Sequence, residues 1–168
     1  MPRLFGVLLF LLASPAAAQG WETFSHDLGA GAAVCPYDDP ETGEFFCFAV
    51  ACLPDGGPPM IRVAFYGPDI REYRAPLSVR IDGRMVTHMF LTRLSEADPA
   101  DGLYDYGTEL DPERDARLLE ALKTGTRATL VFGIGLKAIL QQVTLSGSHA
   151  ALDAVPRLCD GTPVPAGG

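Results

Sequence analysis

The four cysteines constrain the fold of this chain more than any other feature, because two disulfides would fix four points of the backbone. They are Cys35, Cys47, Cys52 and Cys159, and all lie after residue 18. An even number of cysteines is typical of a disulfide framework in an exported chain, whereas thiols in the cytosol stay reduced. We therefore expect two disulfides if the chain leaves the cytosol.

The first 18 residues predict that it does. A single charge, Arg3, precedes an apolar run from Leu4 to Ala13, and small residues follow up to Ala18. This is the pattern of a signal peptide over residues 1–18, with cleavage between Ala18 and Gln19. The run is shorter than the roughly 20 residues that cross a bilayer. We expect no integral membrane segment after cleavage and a soluble product that is periplasmic or secreted.

Length and charge describe the expected mature product. Removing 18 of the 168 residues leaves 150, which suits one domain over residues 19–159. Residues 160–168 contain few apolar side chains and are expected to form a flexible tail. The whole chain carries a net charge of −8, which argues against non-specific binding to nucleic acid or to anionic lipid, so neither is an expected partner. The absence of Asn and the excess of Arg over Lys are typical of a GC-rich bacterial genome.

Spacing favours one disulfide pairing. Cys47 and Cys52 lie five residues apart in a β-prone run, so a strand would point their sulfurs to opposite faces. Cys35 and Cys47 flank a turn-rich segment and could close a hairpin, which leaves Cys52 for Cys159. The alternative exchanges the partners of Cys47 and Cys52.

Short apolar runs separated by Gly, Pro and Asp predict a mainly β fold. We expect an antiparallel, β-sandwich-like domain with one or two short helices. The runs are Glu22–Ser25, Phe45–Leu53, Met60–Tyr66, Leu77–Asp82, Arg84–Leu91, Arg127–Phe132 and Ile139–Leu145.

One hairpin can be predicted in detail. Apolar and polar residues alternate on both sides of Asp82-Gly83, a pair suited to a two-residue type I′ turn. That turn pairs Val79 with Val86 and places His88 opposite Leu77. His88 would then point to the apolar side of the sheet, where its pKa could shift.

Two segments predict helices. Asp111–Gly125 begins with a capping Asp followed by Pro and ends with Gly. A second helix is expected to begin at Ser146 or Ser148 and to stop at Pro156.

The segment Gly133–Ala138 matches the G-x-G-x-x-A form of a dinucleotide fingerprint. The fingerprint requires a helix next and then a strand that ends in an acidic residue. Here Val143–Leu145 is predicted as strand, and Asp153 falls in a predicted helix. We therefore interpret the segment as a hairpin turn and expect no cofactor.

The histidines do not form a recognisable metal or catalytic motif. His26, His88 and His149 are far apart in the chain, and no two have the spacing of a shared metal site. Ser148 directly precedes His149, so the two side chains diverge, and Ser148 is interpreted as a helix cap. We expect no metal and no catalytic residue.

Acidic residues form two clusters, Asp38–Glu44 and Asp98–Glu113, and neither has the spacing of a calcium loop. We interpret the first as a solvated hairpin tip, with weak cation binding as the alternative. The second is interpreted as a mobile loop before the helix. Phe90, Tyr104 and Tyr106 lie near that loop and could form an interaction surface, although core filling would equally explain them.

Four features in order carry a family resemblance. They are Trp21, the hairpin strand Leu77–Gly83, the segment Leu118–Gly125 and the segment Val143–Leu152. Together they resemble the invasion-associated locus B family of alphaproteobacterial exported proteins. The resemblance implies a β-sandwich-like periplasmic or surface-associated protein without a known catalytic site, associated with host-cell invasion in some pathogens.

The expected function is that of a non-enzymatic envelope protein that presents loops to an unknown protein or envelope component. One alternative is a periplasmic inhibitor or stress module that binds a hydrolase. The other is a periplasmic enzyme that uses His88 with Asp105 or Glu109, for which a pocket must join the three side chains.

Overall fold

A computed structural model describes residues 20–26, 29–39, 44–66, 72–94 and 102–161. The predicted signal peptide and residues 162–168 of the predicted tail lie outside them. The strands are β1 Glu22–His26, β2 Gly29–Asp39, β3 Glu44–Leu53, β4 Gly56–Tyr66, β5 Arg74–Ile81, β6 Arg84–Arg93, β7 Leu103–Glu109, β8 Arg127–Phe132 and β9 Ile139–Thr144. The helices are α1 Ala116–Thr124 and α2 Ser148–Cys159. Within these ranges neither helix is an apolar segment long enough to cross a membrane.

The described strands form one antiparallel sheet in the order β1-β2-β3-β4-β7-β6-β5-β8-β9. This confirms a mainly β chain with two short helices, but it shows a single sheet where the sandwich-like prediction implies two. The strands form a single sheet because β7 joins its two halves: β7 pairs along β4 on one side and with the end of β6 on the other. The link between β6 and β7 consists of two residue pairs, Thr92 with Gly107 and Arg93 with Tyr106.

The sheet curls around one hydrophobic core. Phe132 in β8 lies 5.7 Å from Phe65 in β4 and 5.0 Å from Tyr106 in β7, measured between ring centroids. Three strands separate β4 from β8 in the sheet, so these contacts require the two halves to face each other. Both helices contribute buried side chains to the same core. They include Leu118, Leu122, Leu152 and Val155.

Two disulfides join the described elements, Cys35 to Cys47 and Cys52 to Cys159. This is the pairing that the sequence favours. Val34 lies opposite Phe48, and continuation of this register places Cys35 opposite Cys47. Cys52 points the other way from Cys47, to the buried side, and holds the end of α2 against β3.

The turn between β5 and β6 contains two residues, as predicted. Asp82 and Gly83 have φ angles of 49° and 81°, and Ile81 lies opposite Arg84. Positive φ at both central residues is what a type I′ turn requires.

The register beyond this turn differs from the prediction. A β-bulge leaves Val86 without a partner, so Val79 lies opposite Thr87 rather than Val86. The extra residue reverses the faces of the residues that follow. His88 therefore lies opposite Ser78 on the exposed face, and the prediction that it points to the apolar side opposite Leu77 is wrong.

Both helices differ from the predicted bounds at one end. The Asp111 side chain accepts hydrogen bonds from the backbone N–H groups of Glu113 and Arg114, which forms a turn, so α1 begins only at Ala116. Helix α2 continues through Pro156 to Cys159, where the disulfide to β3 holds its last turn.

Candidate functional site

Alternate side chains of four neighbouring strands point away from the core and form one surface, which we call the outer face. It lies on β6, β5, β8 and β9, which follow one another in the sheet. Its residues are Arg74, Pro76, Ser78, Arg80, His88, Phe90, Thr129, Val131, Leu140 and Gln142.

Ser78 and His88 form the polar centre of the outer face. The Oγ atom of Ser78 and the Nδ1 atom of His88 are 2.8 Å apart, within hydrogen-bond distance. On the other side of Ser78, the same row continues through Val131 to Leu140. The serine and histidine are therefore flanked by an apolar strip.

Phe90 extends this surface on β6. Its ring meets the His88 ring edge to face, with centroids 5.9 Å apart, and the Arg74 guanidinium lies 5.4 Å from its centroid. A cation over an aromatic ring is favourable even at exposed sites. Phe90 is 48% exposed, so a large part of the ring stays available for contact.

The three aromatic residues of the predicted interaction surface are not brought together. Phe90 lies on the outer face, whereas Tyr104 and Tyr106 are buried in the core against Phe65. Alternate residues of β7 point inward, and both tyrosines are among them. They therefore fill the core, which is the alternative interpretation given for them above.

The structure also separates Asp105, one of the two carboxylates of the enzyme alternative, from His88. Asp105 binds Arg62, with Nη2 and Oδ2 2.5 Å apart. The Asp105 carbonyl accepts a hydrogen bond from the N–H of Leu94, which lies six residues along the chain from His88. At about 3.3 Å per residue this separation is roughly 20 Å. Glu109 is exposed at the end of β7, and its carbonyl accepts a bond from Arg114.

The connection between β8 and β9 is the most exposed apolar segment that the structure describes, and we call residues 133–138 the tip. Leu136 is fully exposed and Ile134 is 64% exposed. Gly133 and Gly135 have φ angles of 91° and 62°, which side chains rarely adopt. The tip leads into β9 rather than into the helix that a dinucleotide fingerprint requires.

The antiparallel register places the tip beside other exposed apolar residues. Phe132 lies opposite Leu77, so the tip is at the end of the sheet where β5 begins and β6 ends. We call this the tip end. Tyr73 and Phe90 lie there too, and of the large exposed apolar side chains in the described ranges only Met85 lies at the opposite end.

Charge is unevenly distributed between the half of the sheet formed by β5, β6, β8 and β9 and the rest of the chain. Residues 74–93 and 127–144 contain six cations and one carboxylate, a net charge of +5, in a chain whose total is −8. The remaining residues therefore carry −13. The one carboxylate, Asp82, accepts hydrogen bonds of 3.1 Å from the backbone N–H groups of Thr126 and Arg127. The outer face itself contains no acidic residue.

The other sequence-predicted candidates do not assemble into a site. Asp153 bonds to Lys123, and His149 Nδ1 lies 3.5 Å from the same carboxylate on the exposed side of α2. The hydrogen bond from Lys123 lowers the pKa of Asp153. Within the described ranges no cluster of three metal-binding side chains occurs. Residues 40–43 of the first acidic cluster lie outside those ranges, so its cation-binding alternative stays a prediction.

The outer face and its tip could have been found only in part from the sequence. The alternation on β5 and the Asp82-Gly83 turn are visible there, but the exposure of Ile134, Leu136 and Leu140 depends on which edge of the sheet β9 occupies. Two disulfides are typical of an oxidising, extracytoplasmic compartment. No protein-family model, curated protein or solved structure matches this chain.

Proposed function

We propose that the protein is a non-enzymatic envelope protein, periplasmic or secreted after signal cleavage, that presents its outer face and tip to a macromolecular partner. One observation carries the proposal: exposed apolar side chains and cations share a surface that contains no carboxylate. Exposed apolar patches rimmed by polar groups mark interaction sites in soluble proteins. The two disulfides support a location outside the cytosol.

The family resemblance supports the same proposal. Members of the invasion-associated locus B family are exported proteins without a known catalytic site, and they are associated with host-cell invasion in some pathogens. We propose that their sandwich-like layering corresponds here to the two facing halves of one curled sheet. The contact between Phe65 and Phe132 is of the kind that such layering would produce.

The inhibitor and enzyme alternatives would each require different contacts on the outer face and tip. A hydrolase inhibitor would insert the protruding tip into a cleft, so Leu136 would be its main contact. The enzyme alternative would need a carboxylate beside His88, whose described hydrogen-bond partner is the Ser78 hydroxyl. The Ser78 hydroxyl does not supply the charge that usually orients a catalytic histidine.

Site-specific photo-crosslinking in the exporting cell would test the proposal. A photoreactive phenylalanine analogue replaces Phe90 in one variant and Met85 in the matched control, which is equally exposed but lies at the opposite end. We expect a discrete adduct, protein or lipid, at position 90 and none at position 85. An adduct with a single hydrolase would favour the inhibitor alternative. No adduct at position 90 would reject the outer face as a binding surface. Equal labelling at both positions would reject the tip end as the contact region, because Met85 lies opposite Arg80 at the far end of the same face.

A further inference from the structure

The chain is fixed to the folded domain very soon after the predicted cleavage site. The predicted scissile bond is Ala18–Gln19, so Trp21 is the third residue after it. Trp21 is 5% exposed, and its backbone N–H donates to the carbonyl oxygen of Ser146 at 2.8 Å. Its ring packs edge to face against Phe48, with centroids 5.8 Å apart. The folded domain therefore occupies both the backbone and the side chain of this residue.

Two glycines show how closely the segment before β1 approaches the segment that leads into α2. A Cβ added at Gly20 would lie 3.0 Å from the carbonyl oxygen of Ser146. A Cβ added at Gly147 would lie 3.0 Å from the carbonyl oxygen of Trp21. The two segments are thus in direct contact, and a second polypeptide does not fit between them.

A signal peptidase must hold the residues on both sides of the bond that it cuts. Peptide segments bind in such clefts in an extended conformation, through main-chain hydrogen bonds and pockets for alternate side chains. The N–H and the ring of Trp21 cannot serve the enzyme and the core at once. Cleavage of an already folded chain therefore requires that Trp21 first leave the core.

We propose that docking of Trp21 closes the signal-peptide cleavage site, so that the peptidase acts only before this residue is docked. This order rests on the signal cleavage in the proposed function and adds a sequence of events to it. Removal of residues 1–18 comes first, and attachment of Trp21 beyond the end of β9 comes second. A chain that folds before it is cleaved retains the apolar run from Leu4 to Ala13. It is then cut only during the fraction of time in which Trp21 is undocked.

Cleavage of the full 168-residue precursor by a purified bacterial signal peptidase in detergent micelles tests this order. One sample is folded with both disulfides formed, and the other is reduced and alkylated so that it stays unfolded, as circular dichroism verifies. Mass spectrometry measures the rate at which the Ala18–Gln19 bond is cut. We expect the folded precursor to be cut about 100-fold more slowly or less, because a buried tryptophan rarely leaves its core. Equal rates in the two samples would overturn the inference.

Two matched substitutions distinguish undocking of Trp21 from general unfolding. Phe48→Leu removes the ring against which Trp21 packs and leaves the peptidase's substrate segment unchanged. Phe132→Leu is the control, because Phe132 is also fully buried but lies at the other end of β8 from the residue opposite Thr144. Urea unfolding first establishes that the two variants fold with similar stability.

We expect the folded Phe48→Leu precursor to be cut at least about fivefold faster than the folded Phe132→Leu precursor. Equal rates in two variants of similar stability would contradict docking of Trp21 as the block. The comparison of the folded and unfolded unmodified precursor decides the matter without either variant.

The cleavage results also separate this inference from the proposed function. Equal cleavage of the folded and unfolded precursors would overturn the block by Trp21 and leave export and the outer face standing. An unfolded precursor that is not cut at Ala18–Gln19 would overturn both the inference and the proposed signal cleavage. The crosslinking result at position 90 is independent of these outcomes, because it reports on the outer face alone.

Discussion

The indole Nε1 of Trp21 donates a hydrogen bond to the carbonyl oxygen of Thr144 at 3.1 Å, across 123 residues of chain. The backbone N–H of Trp21 also donates to the carbonyl of Ser146 at 2.8 Å. The ring is buried edge to face against Phe48, with centroids 5.8 Å apart. The segment before the first strand is therefore attached to the end of the last strand.

Trp21→Phe should retain much of the ring packing and lose the bond to Thr144, at a cost of about 1 kcal/mol in the free energy of unfolding. Trp21→Ala should cost about 3–5 kcal/mol, because it also leaves a cavity. Urea unfolding followed by circular dichroism measures both values, since Trp21 is the only tryptophan and its fluorescence is lost. Equal losses in the two variants would contradict a separate contribution from the hydrogen bond.

The two disulfides should contribute unequally to stability. The bridge from Cys52 to Cys159 spans 107 residues, and that from Cys35 to Cys47 spans 12. In the chain-entropy model their removal costs about 5 and about 3 kcal/mol. Urea unfolding of the two paired Cys→Ala variants measures this difference. A larger loss from removing the short bridge would show that native packing, rather than loop length, decides the order.

Tyr106→Phe should destabilise the core by about 1–3 kcal/mol. The Tyr106 hydroxyl donates to the carbonyl of Glu72 at 2.9 Å and accepts two bonds from Arg93, at 3.2 and 3.0 Å. Removing it leaves buried polar groups with fewer partners. Tyr73→Phe is the control, because Tyr73 is exposed and its change should stay within about 0.5 kcal/mol. Thermal unfolding compares the variants, and equal melting temperatures would contradict the assigned role.

Protonation of Asp115 should lower the free energy of unfolding as the pH becomes acidic. Hydrogen bonds from the Arg114 side chain, and one from the backbone N–H of Asp111, hold its pKa below the usual value, although burial opposes the shift. A carboxyl whose pKa is lower in the folded state stabilises the fold above its unfolded pKa. That contribution is lost as the pH falls through the folded value, below about 4.

Asp115→Asn should therefore flatten the loss of stability between about pH 5 and pH 2, and should lower stability at pH 7 by about 1 kcal/mol. Urea midpoints across this range provide the measurement. Glu113→Gln is the control, because Glu113 is exposed in the same turn. An acid slope identical to that of the unmodified chain would rule out Asp115 as its source.

The sequence predicts the strands that alternate or contain β-branched residues, and it misses two that depend on their neighbours. β2 contains Gly29-Ala30-Gly31-Ala32-Ala33, which has low β-propensity, but Gly31 lies so close to Ala51 that a side chain would collide. β7 resembles an acidic loop because of Asp105, whose charge is met by Arg62 on β4. Neither the close approach of Gly31 to Ala51 nor the ion pair of Asp105 with Arg62 can be recognised before the pairing of the strands is known.

The candidate site was predictable only in its parts. The sequence places Phe90 among the candidate surface residues, where it is found, and its two-residue turn at Asp82-Gly83 is confirmed. The bulge at Val86, one residue long, moves His88 to the other face, and the strand itself, Arg84–Arg93, contains no Gly or Pro to reveal it. The charge separation between the halves becomes meaningful only once β5, β6, β8 and β9 are known to be neighbours.

The two disulfides also impose an order on biogenesis. Cys35 and Cys47 can pair as soon as the hairpin of β2 and β3 has reached an oxidising compartment, whereas Cys52 must wait for 107 further residues to reach Cys159. During that interval Cys52 is the thiol most at risk of joining the wrong partner, because both cysteines of the β2–β3 hairpin precede it. The yield of native protein would therefore depend on how long Cys52 stays reduced.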